Sequence, residues 1–457
     1  MDGGGGRAAS SGGAPGSSGT SGRWRRRTSG GGKAAVGGVG GCIQSLGADV
    51  LCAIFALLDH FDVARCAAVC KSWRDIIFSS TLLRDIYFKR GPRIFGTTDL
   101  QVPLGTPLKN YLEELAMEQH RLALINGHAE VHQWSGHSVS ISQCRMRRGL
   151  VLTGVGDKAI RLWSATNYQC LGVYSVPGMN PLVDFDFDEN KVVGLVGSQI
   201  CIWRRNGKMN ILQSRDHSFA RSLCMRYLDP EAVVGCEDGR SRVFDMYSGS
   251  CSKIIRMHAG PVTCLSLTDE QLILGGSSYG SITVADLSSG ERVASLKSSV
   301  SPIGISSLCF NVNNHLIFAG STSGYSHCWD LRTLRPLWEV RTSSNIIYAV
   351  HHLPGDTATI SAGGIDGVLR FLSQRTGEVL ASYVMDINRP PAPAMREDNK
   401  KITQCQAVAL PSDAHIGSIL RHRRPFITCL AMGMKKVVTT HGDKYIRVWR
   451  FQEPSRL

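Results

Sequence analysis

Residues 136–164, GHSVSISQCRMRRGLVLTGVGDKAIRLWS, gather an imidazole (His137), a hydroxyl (Thr153), a carboxylate (Asp157) and an indole (Trp163). Histidine and aspartate at recurring positions are the raw material of acid–base catalysis, so the spacing must be tested for a reaction or a scaffold. The unit is an apolar run, an Asp at a tight turn and an alternating strand, and variants of it return down the chain. The positions matching Trp163 are Trp203, Phe244, Ala285, Trp329, Leu372 and Trp449. The steps are about 40 to 44 residues, the last roughly doubled by an insertion, which is the length that four strands and their turns need for one propeller blade. The fourth unit shows this most clearly: VTCLSL, LILGG, SITVADL and RVASLK, separated by short polar turns. A row of separate sandwiches would need roughly 100 residues each.

This pattern resembles the WD-repeat family, whose signature is Gly-His, then Ser or Thr ending the second strand, Asp in the next turn and Trp-Asp closing the third. The resemblance implies that His, Ser/Thr, Asp and Trp form a hydrogen-bonded tetrad locking each blade. The first unit matches fully at His137, Thr153, Asp157 and Trp163. The seventh has Thr439, Asp443 and Trp449 in register, with His422 displaced by one residue. The rest decay: the third keeps His217, Asp238 and Phe244-Asp245, the fourth His258 and Ala285-Asp286, the fifth Trp329-Asp330, the sixth Asp366-Gly367. The second has only a short turn, Gly197, Ser198 and Gln199. On this reading the polar residues are structural, since leaving such groups buried and unpaired costs about 1 to 3 kcal/mol each. After the third strand of the last unit only six residues remain, so its outer strand is expected from residues 129–134, closing the ring from its two ends.

The chain has 457 residues, 43% of them hydrophobic, enough for a large core and a small second domain. No apolar run approaches the roughly 20 residues of a membrane span, and no secretory-signal pattern opens the chain, so cytoplasm or nucleus is expected. None of the fifteen cysteines forms Cys-x-x-Cys. Five (Cys144, Cys224, Cys264, Cys309, Cys429) fall in innermost strands, where a small apolar side chain fits the crowded centre, so free thiols, no metal site and no cofactor are expected. Residues 1–41 are Gly/Ser-rich and read as a disordered tail. Arg7, Arg23, Arg25, Arg26, Arg27 and Lys33 against Asp2 give this tail +5 of the formal +14. The cluster of Arg23, Arg25, Arg26 and Arg27 fits a nuclear signal and a plain charged tail equally. With no RNA-binding aromatic motif or zinc finger, the surplus is weak support for nucleic acid as a partner.

Residues 42–90 carry a second pattern. After Leu46, apolar residues at Val50, Leu51, Ile54, Phe55 and Leu58 make the stripe of an amphipathic helix. Asp62 is placed to cap a second helix with Cys66, Val69, Cys70 and Trp73, and Leu82, Leu83 and Ile86 begin another. So small a helical unit has little core of its own, which favours a partner surface. The run Leu46…Ile54-Phe55…Leu58…Val69-Cys70-Lys71-x-Trp73-Arg74 resembles an F-box. That resemblance implies binding to the small adaptor of SCF-type cullin-RING ubiquitin ligases, through Leu46, Leu51, Ile54, Phe55, Leu58, Val69, Cys70 and Trp73. The family's usual Leu-Pro is here Leu46-Gly47, which loosens the start of the first helix and weakens the expected adaptor affinity.

The fold expected is mainly β: a seven-bladed WD-repeat β-propeller (residues 128–457, with an insertion at 386–424) preceded by the tail (1–41), a small α-helical F-box domain (42–90) and a linker (91–127). The linker holds a helix starting near Pro107, with Leu108, Leu112, Leu115 and Leu122 on one face and Glu113, Glu114 and Glu118 on another. The insertion, with Arg389, Pro390, Pro391, Lys400 and Lys401, reads as a binding loop or a disordered excursion. F-box plus propeller resembles a non-catalytic substrate receptor, which raises the effective concentration of a target beside the ligase. Phosphodegron readers of this family place arginines at inner-strand and turn positions, which read here Ser142, Ser222, Thr263 and Thr428, then Gly156, Glu237, Ser278, Thr322 and Gly442. An unphosphorylated or apolar target motif is therefore expected. Two alternatives remain. Trp329-Asp330-x-Arg332 resembles the motif joining some WD proteins to the other large cullin ligase, with Ser323 where Asp is usual, and the chain is otherwise a scaffold without ligase role.

Overall fold

A computed structural model describes residues 46–58, 60–79, 82, 108–154, 158–205, 209–212, 220–299, 303–386, 396–397, 400–412, 414–421 and 424–452. The chain divides into two units, residues 1–83 and 84–457.

The first unit contains three helices, α1 (Ala48–Phe55), α2 (His60–Ala67) and α3 (Lys71–Ser79). Leu51 and Phe55, one turn apart on α1, are buried with Val63, Ala67, Ile77 and Leu82, and the Phe55 and Trp73 rings meet edge to face at 5.2 Å. The Cys70 sulfur accepts the Trp73 amide at 3.5 Å and so caps the start of α3. Asp62 does not cap α2 from outside; it lies in its first turn and pairs with Arg65 at 2.6 Å.

The second unit is a ring of seven blades. Five are four-stranded antiparallel sheets taken in chain order, and the sixth and seventh are joined in one nine-stranded sheet. The residues matched to Trp163 occupy one register position throughout. Trp163 pairs with Val151, Trp203 with Val192, Phe244 with Ala232, Ala285 with Ile273, Trp329 with Ile317, Leu372 with Ile360 and Trp449 with Val437. All seven are buried, so a third-strand apolar side chain anchors every blade to the core. The strand His128–Ser135 pairs along its whole length with Tyr445–Gln452, His128 opposite Gln452 and Ser135 opposite Tyr445. The outer strand of blade seven thus comes from the opposite end of the propeller sequence, as its length demanded.

Blade two has no tetrad and is held differently. The Asp184 carboxylate takes Arg145 of blade one at 2.8 Å and the Met225 amide of blade three at 3.0 Å. Two residues on, Asp186 repeats this with Arg147 at 3.2 Å and the Tyr227 amide at 3.1 Å. Two buried carboxylates therefore stitch three blades, each oxygen meeting a donor as burial of a charge requires.

Part of the insertion is regular structure: its strand Thr403–Leu410 pairs on one side with Val379–Asp386 of blade six and on the other with His128–Ser135 of blade seven. Arg389, Pro390 and Pro391 lie outside the described residues. The linker helix α4 (Leu108–Asn126) is docked on the propeller. Its Arg121 meets Asp356 at 2.7 Å in a buried ion pair, its His120 Nδ1 accepts the Lys435 amide at 2.8 Å, and the Tyr383 hydroxyl donates to the Leu124 carbonyl at 2.9 Å.

Candidate partner-binding surfaces

The histidine, threonine and tryptophan of blade one converge as a structural lock. Thr153 Oγ1 accepts the Trp163 indole N–H at 2.9 Å and lies 2.9 Å from His137 Nε2, while Arg161 reaches His137 Nδ1 at 2.6 Å. Asp157 lies outside the described residues. In blade seven Thr439 likewise accepts from Trp449 at 2.9 Å, but the imidazole on its oxygen, at 2.8 Å, belongs to His441. His422 lies outside the described residues, as does His217. His441 enters from the turn after the second strand rather than from the loop before the first, which is why the Gly-His spacing missed it. Burial holds this imidazole down to about 3, with Arg447 adding to the effect.

The turn aspartates serve a partner that the sequence reading did not name. Asp238 pairs with Arg242 at 2.9 Å, Asp366 with Arg370 at 2.7 Å and Asp443 with Arg447 at 2.7 Å, each four residues on. Asp157 and Arg161 have the same spacing. The signal was present as Asp-x-x-x-Arg: it places the carboxylate in the turn and the guanidinium within the third strand. A glycine follows the aspartate in blades three and six because the chain there has positive φ, 77° at Gly239 and 72° at Gly367.

At the channel, Cys144, Cys224, Cys264, Cys309 and Cys429 sit buried on innermost strands, and every described cysteine is reduced. Burial pushes the Cys264 thiol up to about 11. Of the ring positions where an arginine clamp would sit, Thr263 and Thr428 bond within the fold. Thr263 Oγ1 donates toward the Gly276 and Ile305 carbonyls at 3.0 and 2.6 Å, and Thr428 and Thr440 share a hydrogen bond at 2.8 Å. Among the described residues no three His, Cys, Asp or Glu side chains gather as metal ligands would, and no helix is long and apolar enough to cross a membrane.

The helical unit divides the eight adaptor candidates. Leu51 and Phe55 are core, Phe55 with 1% of its surface exposed. Ile54, Leu58, Cys70 and Trp73 are half-buried, and Leu46 and Val69 are exposed. Three exposed apolar residues lay outside the sequence assignment: Val50, Phe78 and, in the turn after α1, Leu57 with 86% exposure. Helical periodicity assigns a stripe but is blind to turns, where Leu57 and Val69 stand. Gly47 precedes α1 at φ −63°, ψ 156° and offers no side-chain cap.

In blade five Trp329 is buried, and Asp330 accepts the Arg332 amide at 2.9 Å and its guanidinium at 3.0 Å. Asp245 and Asp286 accept turn amides in the same way at the ends of blades three and four. The Trp-Asp-x-Arg run therefore has the geometry of an ordinary blade ending with an added arginine.

Helical unit and ring together define an F-box followed by a WD-repeat propeller. The F-box-like family model matches residues 43–89, and the WD domain, G-beta repeat model matches residues 290–330. An F-box/WD-40 repeat-containing protein of Arabidopsis thaliana is 46% identical over 430 residues, covering 90% of this chain and 94% of that protein. The chain belongs to the F-box/WD-repeat family. The angio-associated migratory cell protein of Homo sapiens is 24% identical over 70% of each chain. The crystal structure of the computationally designed Ika8 protein superposes with a TM-score of 0.51 at 20% identity, covering 70% of this chain and 98% of that one, a likeness of fold alone. F-box domains in general bind the small SCF adaptor and WD-repeat propellers bind protein targets, and members of the family are typically non-catalytic.

Proposed function

We propose that the chain is the target-recruiting subunit of an SCF-type ubiquitin ligase, in cytoplasm or nucleus, with the helical unit docking the adaptor and hence the cullin and the propeller holding a protein target. The observation that carries this reading is the set of apolar side chains left on the surface of the F-box unit, Leu57 and Val69 foremost, at 86% and 64% exposure. So small a unit gains by covering them, and apolar surface left in water is what a partner covers. The chemistry of ubiquitin transfer then belongs to the assembled ligase, and this chain contributes proximity.

The test is a pull-down of the full chain from cells with the proteasome blocked. Wild-type chain is expected to bring down the small adaptor with its cullin, and Leu57→Asp combined with Val69→Asp to lose both while keeping its far-ultraviolet spectrum. Both substitutions are at exposed turns and spare the core, whereas Phe55→Asp would unfold the unit. Cullin retained by the double variant, or capture of the other ligase's adaptor through blade five, would overturn the assignment.

A further inference from the structure

Four blades carry the Asp-x-x-x-Arg pair and three do not. Counting back six and two residues from the third-strand anchor gives Tyr279 and Thr283 in blade four, Ser323 and His327 in blade five, and, in the shortened turn of blade two, Gly197 and Cys201. In blade five the gap is filled, because His327 lies 3.6 Å from Glu339 within the fold. In blades two and four cavities open instead, of about 570 Å³ beside Ser198 and about 410 Å³ beside Tyr279 and Thr283.

The cavity at blade four has a pronounced chemical character. Strand register sets Ser281 opposite Lys297 and Thr283 opposite Ser295, so four polar side chains share the face that lines it. Arg292 is held at its edge by the Met257 carbonyl at 3.0 Å. His258 forms the floor: its Nε2 donates to the Gly275 carbonyl at 2.8 Å, and its Nδ1, 3.2 Å from the Ser281 hydroxyl, is left to accept. The Tyr279 ring forms a wall against Gly260, where a Cβ would come within 2.1 Å of it, so glycine is what lets the ring lie there. Among the described residues no Asp or Glu lines the cavity. Lys297 has no ion-pair partner among the described residues, and Glu339, the carboxylate of the next blade, accepts from Ser299 at 2.9 Å. Two cations and several hydroxyls around one hollow, with the carboxylate of the other blades deleted, make a site for a negative group.

We infer that this hollow binds an oxyanion side chain of the target, a carboxylate or a phosphate ester, seated between Lys297, Arg292 and the Ser295 hydroxyl in the place that an aspartate fills in blades three, six and seven. The inference rests on the receptor reading only in taking the ligand to be a protein segment. It lies away from the inner-strand positions where the family resemblance looked for arginines, and both of its cations come from the outermost strand of the blade.

The test uses immobilised peptides of degenerate sequence with a fixed central phosphoserine, glutamate or serine, against the full chain. Retention on the phosphoserine or the glutamate peptides above the serine peptides is expected, and whichever is the stronger names the source of the oxyanion. Lys297→Glu, at an exposed position, is expected to weaken that retention by about tenfold, the scale of a lost charge-assisted hydrogen bond. The double substitution Tyr279→Asp with Thr283→Arg, which installs the pair of the other blades, is expected to fill the hollow and abolish the preference; it also removes the Thr283 hydroxyl's bond to the Met257 carbonyl at 2.9 Å, so its folding is checked by circular dichroism. Equal retention on serine peptides, or a preference that survives Lys297→Glu, would overturn the site. Adaptor capture measured on the same variants keeps the two proposals apart: if it persists while the anion preference is absent, only the hollow fails. If it is lost while the preference persists, only the receptor reading fails.

Discussion

Buried imidazoles carry much of the local order of this propeller, and their titration gives it a pH response. His441 is held down to about 3 by burial and then by Arg447, and His120 to about 4 by burial, against the Asp356 charge that acts in the other direction. In the unfolded chain both titrate near 6.5, so below that pH the unfolded state binds the more protons. Their contribution to stability is complete above about pH 6.5 and is lost as the pH falls toward 4, at up to about 1.4 kcal/mol per pH unit for each. Thermal unfolding midpoints measured from pH 7.5 to 5 are expected to fall, and His441→Asn to flatten the slope. A midpoint independent of pH over that range would show that neither imidazole is buried neutral.

Among the elements, α1 is the one whose start departs most from the family resemblance. Gly47 stands where that family has proline, yet its φ of −63° is already the value that a proline ring imposes, and a Cβ there meets nothing within 4 Å. Gly47→Pro is therefore expected to stabilise the helical unit by about 0.4 to 1 kcal/mol, by narrowing the unfolded ensemble. Adaptor affinity gains only the share of this that ordering the helix start costs on binding, at most about fivefold. Amide exchange across Ala48–Phe55 and titration with the adaptor would check both; slower binding or faster exchange would mean that the glycine conformation is needed.

At the scale of the whole molecule the ring closes by two devices. His128–Ser135 completes blade seven, and Thr403–Leu410 covers the outer edges of blades six and seven at once. Gln406 faces Glu130 on one side and Asp386 on the other, so Gln406→Pro removes an amide from the middle of a ladder, where proline is not tolerated. It is expected to lower the melting temperature by roughly 5 °C and to raise light scattering, since two sheet edges become open to other chains. Unchanged melting and scattering would show the bridging strand to be dispensable.

The repeat itself was legible without coordinates. A third-strand anchor every 40 to 44 residues needs only a count along the chain, and so does the shortage of strands after residue 451 that called for a strand from the other end. The F-box stripe was legible for the same reason, that periodicity is local. What needed the fold were facts about neighbours distant in sequence. The bond of His441 to Thr439, and the burial of Phe55, depend on which side chains pack against which. So do the two-sided pairing of the insertion and the hollow at blade four. Which strands a segment pairs with leaves no mark in its own side-chain period, and a cavity is defined by what is missing from a place that only packing creates.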